Sequence, residues 1–169
     1  TQRACPEMLI EMLMPDFQGK IELVQQVINA RPAVLAHNLE TVRSLTDRVR
    51  DSRASYDQSL DVLRYLKQQC PDGYTKSSLM LGVGESRTET LQAMKDLRDV
   101  GVDFLTIGQY LQPSKKHLKV EKFMHPDEFD ELALQGDKMG FEYVASGPLV
   151  RSSYKAAEFY IERKIRVNA

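Results

Sequence analysis

Thr75-Lys76-Ser77-Ser78-Leu79-Met80-Leu81-Gly82-Val83-Gly84-Glu85-Ser86 decides the fold of this 169-residue chain. Thr75–Val83 reads as a strand, and the glycines at 82 and 84 close it. Ser86 and Glu89 have the spacing of a capping box, in which each side chain satisfies a free amide at a helix start. Leu91, Met94, Leu97 and Val100 recur at helical spacing behind that cap, and Gly101 suits a left-handed stop. Val102–Gln109 is the next strand. Strand, helix and strand with short links form the unit that joins parallel strands by a right-handed crossover.

The same alternation extends both ways. Upstream, Met8–Met14 is apolar at most positions, as expected of a strand buried on both faces. Pro15–Gly19 is a turn, and Lys20–Ala30 a helix with Ile21, Val24, Val27 and Ile28 on one side. Val34–Ala36 is a short apolar run closing on His37 and Asn38, and Thr41–Arg50 reads as a short helix. Ser55 and Gln58 have capping-box spacing, opening a helix striped by Leu60, Leu63, Leu66 and Cys70. Downstream, the polar stretch Ser114–Lys122 leads to Pro126, placed for the first turn of a helix that carries Phe129, Leu132, Ala133 and Met139 and stops at Gly140. Phe141–Ser146 is a last strand, and a basic, helical tail follows from about Tyr154. Some five strand–helix repeats fit either an open doubly wound sheet or an arc of a β/α barrel. Five are too few to close the usual eight-stranded barrel of roughly 250 residues. Thr1 also opens the chain at what reads as a helix end, so residues 1–169 are expected to be the second part of something longer.

Composition excludes several classes. Lys and Arg number 23 against 24 Asp and Glu, so the net charge of −1 removes the electrostatic case for nucleic-acid binding. No apolar run approaches the roughly 20 residues of a membrane helix. Cys5 and Cys70 cannot build a disulfide framework or a four-thiolate metal site. Each precedes a proline and reads as a structural thiol in the last turn of a helix before a strand. His117 and His125 lack metal-ligand spacing, and no nucleophile elbow is present.

Both architectures place function at the carboxyl ends of the strands. Those ends carry Pro15-Asp16, His37-Asn38-Leu39-Glu40, Gly82-Val83-Gly84-Glu85, Gly108-Gln109-Tyr110 and Ser146-Gly147-Pro148. The glycine turn opens a helix, so a ligand can approach its backbone and an anion is favoured there, although a tight turn alone explains it equally well. Asn38 and Glu40 share parity and suit a polar pocket wall, unless Asn38 or Thr41 caps the next helix. Lys76 is a Schiff-base candidate if its parity faces a barrel interior, and otherwise a solvated lysine at a strand start. Ser152 or Ser153, after Arg151, reads as the cap of the last helix.

Five runs resemble lipoyl synthases of the radical S-adenosylmethionine class. They are His37–Val42, Leu79–Glu85, Leu105–Ser114, His125–Phe129 and Ala145–Tyr154, and the match runs in order from about Pro15 to Tyr154. The resemblance implies an α/β fold, a partial TIM-like β/α barrel of parallel strands, with the N-terminal half missing. Residues 1–150 would be the C-terminal part of that barrel, and 151–169 a cluster-ligand motif with a basic tail. It implies an enzyme that inserts two sulfur atoms, at C6 and C8, into an octanoyl chain amide-linked to a lysine of a carrier domain. One 4Fe–4S cluster cleaves S-adenosylmethionine to a hydrogen-abstracting radical, and a second, auxiliary cluster is consumed as sulfur donor. The cysteine triplets that hold both clusters are not in this chain, which is therefore expected to be inactive alone.

The resemblance makes Ser152 the oxygen ligand of the auxiliary cluster, with Ser153 the second choice and Arg151 in support. It places Asn38, Glu40, Met80, Gly82, Gly84, Glu85, Gln109 and Tyr110 around S-adenosylmethionine or the octanoyl-lysine. Implied partners are octanoylated carrier domains, such as the glycine cleavage H protein and 2-oxoacid dehydrogenase subunits, and an electron donor such as ferredoxin. Arg163, Lys164 and Arg166 offer charge to an acidic carrier. The tail after Tyr154 suggests a mitochondrial member, with plastid or bacterial cytoplasm as alternatives. Two rivals remain: an aldolase-type barrel working through Lys76, and a non-catalytic piece that binds lipoyl carriers.

Overall fold

A computed structural model of the chain describes residues 3–152. Five strands form one sheet: β1 (Glu11–Leu13), β2 (Val34–Ala36), β3 (Tyr74–Leu81), β4 (Phe104–Gln109) and β5 (Tyr143–Gly147). They lie in the order β1-β2-β3-β4-β5, and every pair is parallel. The helices between them are α1 (Ile21–Asn29), α2 (Thr46–Val49), α3 (Tyr56–Gln69), α4 (Arg87–Asp99) and α5 (Pro126–Met139).

Strand order decides between the two architectures. A doubly wound sheet reverses its order at a switch point so that helices cover both faces. Here the order never reverses, and the chain is singly wound, as in an arc of a β/α barrel. The core agrees. Leu35, Leu79, Leu81, Leu105, Ile107 and Val144 alternate onto one face, where they join Val24, Leu63, Leu66, Leu97 and Phe129 of the helices in one buried cluster. Leu63, Leu66, Leu79, Leu97 and Ile107 are fully buried, each worth about 1.5–3 kcal/mol of transfer free energy. The opposite, concave face holds a separate small cluster of Val34, Phe104 and Ala145, with Tyr74, Tyr143 and Val150 against it.

Helix ends follow their sequence signals. Ser86 and Glu89 make the full reciprocal box on α4. Gly140 caps α5 at φ 86°. His125 caps the start of α5, its Nδ1 accepting from Asp127 N while the Glu128 carboxylate accepts from His125 N.

Several expectations are corrected. The strand expected over Met8–Met14 is only Glu11–Leu13, and it is exposed rather than buried, because β1 is the edge of the sheet with a neighbour on one side alone. Cys5 lies exposed in a turn region rather than at a helix end. Cys70 does cap α3, as expected. Thr41–Arg50 is a single 3-10 turn followed by one short helix, and Val42, not Asn38 or Thr41, stands at its start. Ser55 caps α3, but Gln58 does not reciprocate, because its amide reaches Asp16 Oδ2 at 2.7 Å. Lys76 is not solvated: it is 3% exposed and bound to both Glu11 carboxylate oxygens, at 2.8 and 2.9 Å. Ser153 and the tail from Tyr154, with Arg163, Lys164 and Arg166, lie outside the described residues.

Candidate functional site

Parallel register stacks the concave face in rows. Lys76 lies opposite Ala36 and Phe104, Ser78 opposite Thr106, and Met80 opposite Gly108. Phe104, Thr106 and Gly108 continue onto Tyr143, Ala145 and Gly147. The face therefore runs from a charged and aromatic floor, through small hydroxyl and methyl groups, to a top row with two glycines. Those glycines leave room that the chain itself enters. After β5 the backbone turns back (Val150 N donates to Gly147 O, 3.1 Å), and the Val150 carbonyl packs where a Gly108 Cβ would stand. The return brings Arg151, exposed, and Ser152, half-buried, to the sequence directly following that contact.

At the mouth, β2 gives way to an irregular extension. Leu39 is fully buried in the helix-side core, the register slips by one so that Glu40 stands opposite Leu79, and Asn38 Nδ2 donates to Glu40 Oε1 at 3.1 Å. Their side chains thus meet, through this bond rather than through regular strand alternation. Glu40 sits at φ 70°, unusual for a residue with a side chain, while its backbone bonds β3 on both sides. Glu40 N donates to Ser78 O, and Met80 N donates to Glu40 O. Burial pushes the Glu40 carboxyl up from its ordinary value, only partly offset by the Asn38 amide. It is a carboxylate with one side-chain partner, held by strained backbone at the end of a strand.

His37, beside it, is spent on structure. It is buried with Nδ1 at 2.9 Å from Met14 O and Nε2 at 3.0 Å from Ser59 Oγ. Burial lowers its basicity, which favours the neutral ring donating to Met14 and accepting from Ser59.

The glycine turn after β3 is organised by its own acid. Glu85 folds back, accepting from Gly82 N at 2.5 Å and Val83 N at 3.0 Å. Gly82 and Gly84 hold φ 101° and 117°, which only glycine adopts freely. Gln109 is equally committed. Its Nε2 donates to Leu81 O, Tyr110 O and Lys122 O at 3.0–3.1 Å, and its Oε1 accepts from Met124 N. Tyr110 is buried, and its hydroxyl donates to Leu118 O. Gln109, Tyr110 and Glu85 therefore shape the rim, whereas Asn38, Glu40 and Met80 line it. The resemblance implies all eight positions without this division, which sequence spacing does not record because the partners of Gln109 lie up to 28 residues away.

Two further features escaped the sequence reading. The Thr106 hydroxyl, buried on the concave face, has no partner among the described residues. A cleft of about 390 Å³ lies beside the β1 end between Asp16, Phe17, Leu23, Asp51 and Arg53, on a turn whose residues Phe17, Gln18 and Gly19 all have positive φ.

No family model matches the chain. Among solved structures it is similar to a Bacillus subtilis HMG-CoA lyase, at 11% identity and a TM-score of 0.47, covering 92% of this chain and 62% of that one. Sequence relatives are far nearer. The chain is 55% identical over 161 residues to a mitochondrial lipoyl synthase of Branchiostoma floridae, covering 95% of this chain and 43% of the relative. It is 55% identical over 162 residues to a lipoyl synthase of Myxococcus xanthus, covering 95% and 54%. Against a chloroplastic lipoyl synthase of Zea mays it is 53% identical over 163 residues, covering 96% and 44%. The chain spans about half the length of the curated relatives it matches. With such identity sustained across nearly all of it, the chain is homologous to the lipoyl synthases over about half of their length.

Proposed function

We propose that this chain is the C-terminal portion of a lipoyl synthase, an enzyme of lipoate biosynthesis, and that its concave mouth binds S-adenosylmethionine and faces an octanoyl-lysine. The observation that carries this reading is the identity of 51–55% with lipoyl synthases over some 95% of the chain. The relatives' names span mitochondrion, chloroplast, apicoplast and bacterium, and we place this protein in the mitochondrion.

The residues present fit a cationic nucleoside ligand. Glu40 offers a half-buried carboxylate with a single side-chain partner, suited to an ammonium or a ribose hydroxyl. Asn38 orients that carboxylate, and Met80 lies on the row that opens at the mouth. Gly82 and Gly84 let the ligand approach the backbone, while Glu85 and Gln109 hold that backbone in place. S-adenosylmethionine, once bound, supplies the hydrogen-abstracting radical of this enzyme class.

The described residues do not fit an iron–sulfur cluster on their own. Cys5 and Cys70 precede β1 and β3, at the rim away from the mouth, so the thiolates must come from sequence beyond this chain. Ser152 is proposed as the single oxygen ligand this chain adds, with Arg151 beside it offsetting negative charge. An alkoxide binds iron as a harder donor than a thiolate and is released more readily. Its support is the fold-back that sets Val150 on Gly108.

The test uses the intact enzyme with reductant, S-adenosylmethionine and an octanoylated carrier. Lipoyl product is expected, and none forming would refute the reading. Glu40→Gln should weaken S-adenosylmethionine binding by about tenfold or more, the worth of one hydrogen bond to a charged group. Ser152→Ala should block sulfur insertion while S-adenosylmethionine cleavage persists.

The aldolase rival loses its residue. The Lys76 amine is gripped by Glu11 on the floor of the face, where it is committed as an ion-pair partner rather than poised as a nucleophile.

A further inference from the structure

Residues 110–125, between β4 and α5, form a long connection for a compact α/β unit, where such links usually run to six residues or fewer. Ordering each residue costs about 1–2 kcal/mol, so a long loop is held only if something holds it. This one is anchored to the body at its two ends and bonded within itself between them. Gln109 binds the carbonyls of Tyr110 and Lys122 and the amide of Met124. The Tyr110 hydroxyl reaches Leu118 O, and Gln112 reaches His117 O. Glu121 N bonds Gly82 O, and the Glu121 carboxylate bonds Arg48 of α2 at 2.7 Å. The strap thus crosses the strand ends as a fixed rim of the mouth.

What the strap presents outward is unspent. Lys115, Lys116 and Lys119 are exposed and form no ion pair among the described residues. Flanking them in the sequence are two large exposed apolar side chains, Leu111 at 59% and Phe123 at 72% exposure. Elsewhere on this surface most cations are paired: Arg43, Arg48, Arg53, Arg64, Arg87 and Lys95 all have carboxylate partners. Three free ammonium groups with an aromatic anchor on a pre-ordered rim have the chemistry of a docking surface.

We infer that the strap is the docking face for an acidic surface of the carrier protein, next to its acylated lysine, so that docking feeds the lysine arm into the mouth. This deepens, and rests on, the function proposed above. A nucleic-acid occupant is disfavoured by charge. The chain carries net −1, and Asp127, Asp130 and Glu131 follow the strap directly, which denies a polyanion a continuous basic track.

The experiment compares the intact wild-type enzyme with the Lys115→Glu/Lys116→Glu/Lys119→Glu variant on two substrates. One is an octanoylated carrier domain, the other a short octanoyl-lysine peptide without an acidic face. The variant is expected to raise KM for the carrier about tenfold or more at low salt, with kcat unchanged. The salt dependence seen with wild type should flatten. KM and kcat for the peptide should stay at wild-type values, which also reports that the variant is folded. An unchanged carrier KM and salt slope overturns the inference. So does an equal loss on the peptide, which would put the lysines' role inside the site. If wild-type enzyme converts neither substrate, the functional reading itself has failed.

Discussion

Glu40 shows how one residue can be costly to the fold and useful to the site. A side chain at φ 70° costs about 1–2 kcal/mol, and its carboxyl is half-buried with one amide for company. Burial raises the folded carboxyl above the unfolded value of about 4.3. Between those two values the native chain keeps a proton that the unfolded chain has lost. Stability therefore falls as pH climbs through that window, and the cost is complete above it. Glu40→Gln keeps the shape and the Asn38 contact while removing the charge. Its thermal midpoint should exceed wild type at pH 8, and the gain should vanish near pH 4. A variant less stable than wild type at pH 8 would mean that the fold, not a ligand, uses the charge. His37 works in the opposite sense: burial lowers its pKa, so its neutral ring supports the fold fully above about pH 6.5 and loses that support as pH drops below it.

Elements were legible where their signals are local. The strand, cap, stripe and glycine stop of β3, α4 and β4 are all within a few residues of one another, and each formed as the spacing required. The elements misjudged are those whose state depends on distant neighbours. Apolar content made β1 look buried, but burial is set by what lies across an edge, which spacing does not record. Gln58 has box spacing, yet a carboxylate from the β1 end outbids the local amide. Helix α5 gives a case where packing reverses propensity. Gly136 lies inside it and is buried, and an alanine there gains about 1 kcal/mol of intrinsic helix stability. A Cβ at that position, however, runs into Val144 of β5 and crowds Met94 of α4. Val144 is branched and buried and has little room to give, and overpacking costs about 1–3 kcal/mol. Gly136→Ala should therefore lower the denaturation midpoint. A stabilised variant would show that α5 can lift off the sheet at little cost.

On the scale of the whole molecule, the site is a consequence of winding in one direction. Helices collect on one face, so the other is free to become a lined hollow, and all strand ends with polar sequence fall on one rim. That much followed from the sequence, since parallel strands in a strand–helix repeat must point the same way. What did not follow is how the open face is stiffened. The pair joining Glu11 to Lys76 spans 65 residues and bridges β1 to β3 across β2, on the side where no helix packs among the described residues. Lys76 is almost wholly enclosed, whereas the Glu11 side chain keeps 33% exposure, so the pair belongs between the surface and interior limits. Its strength is measurable by a double-mutant cycle on Glu11→Gln and Lys76→Met. Coupling of about 1–3 kcal/mol is expected, and Lys76→Met alone should cost less than Lys76→Ala, since methionine refills the space of the stem. Because the pair ties down the edge strand, its loss should also raise hydrogen exchange at the amides of β1 before those of β3 and β4. Coupling near zero, with β1 exchange unchanged, would mean that the edge is held by its ladder to β2 alone, and that the charged floor of the hollow serves something other than the sheet.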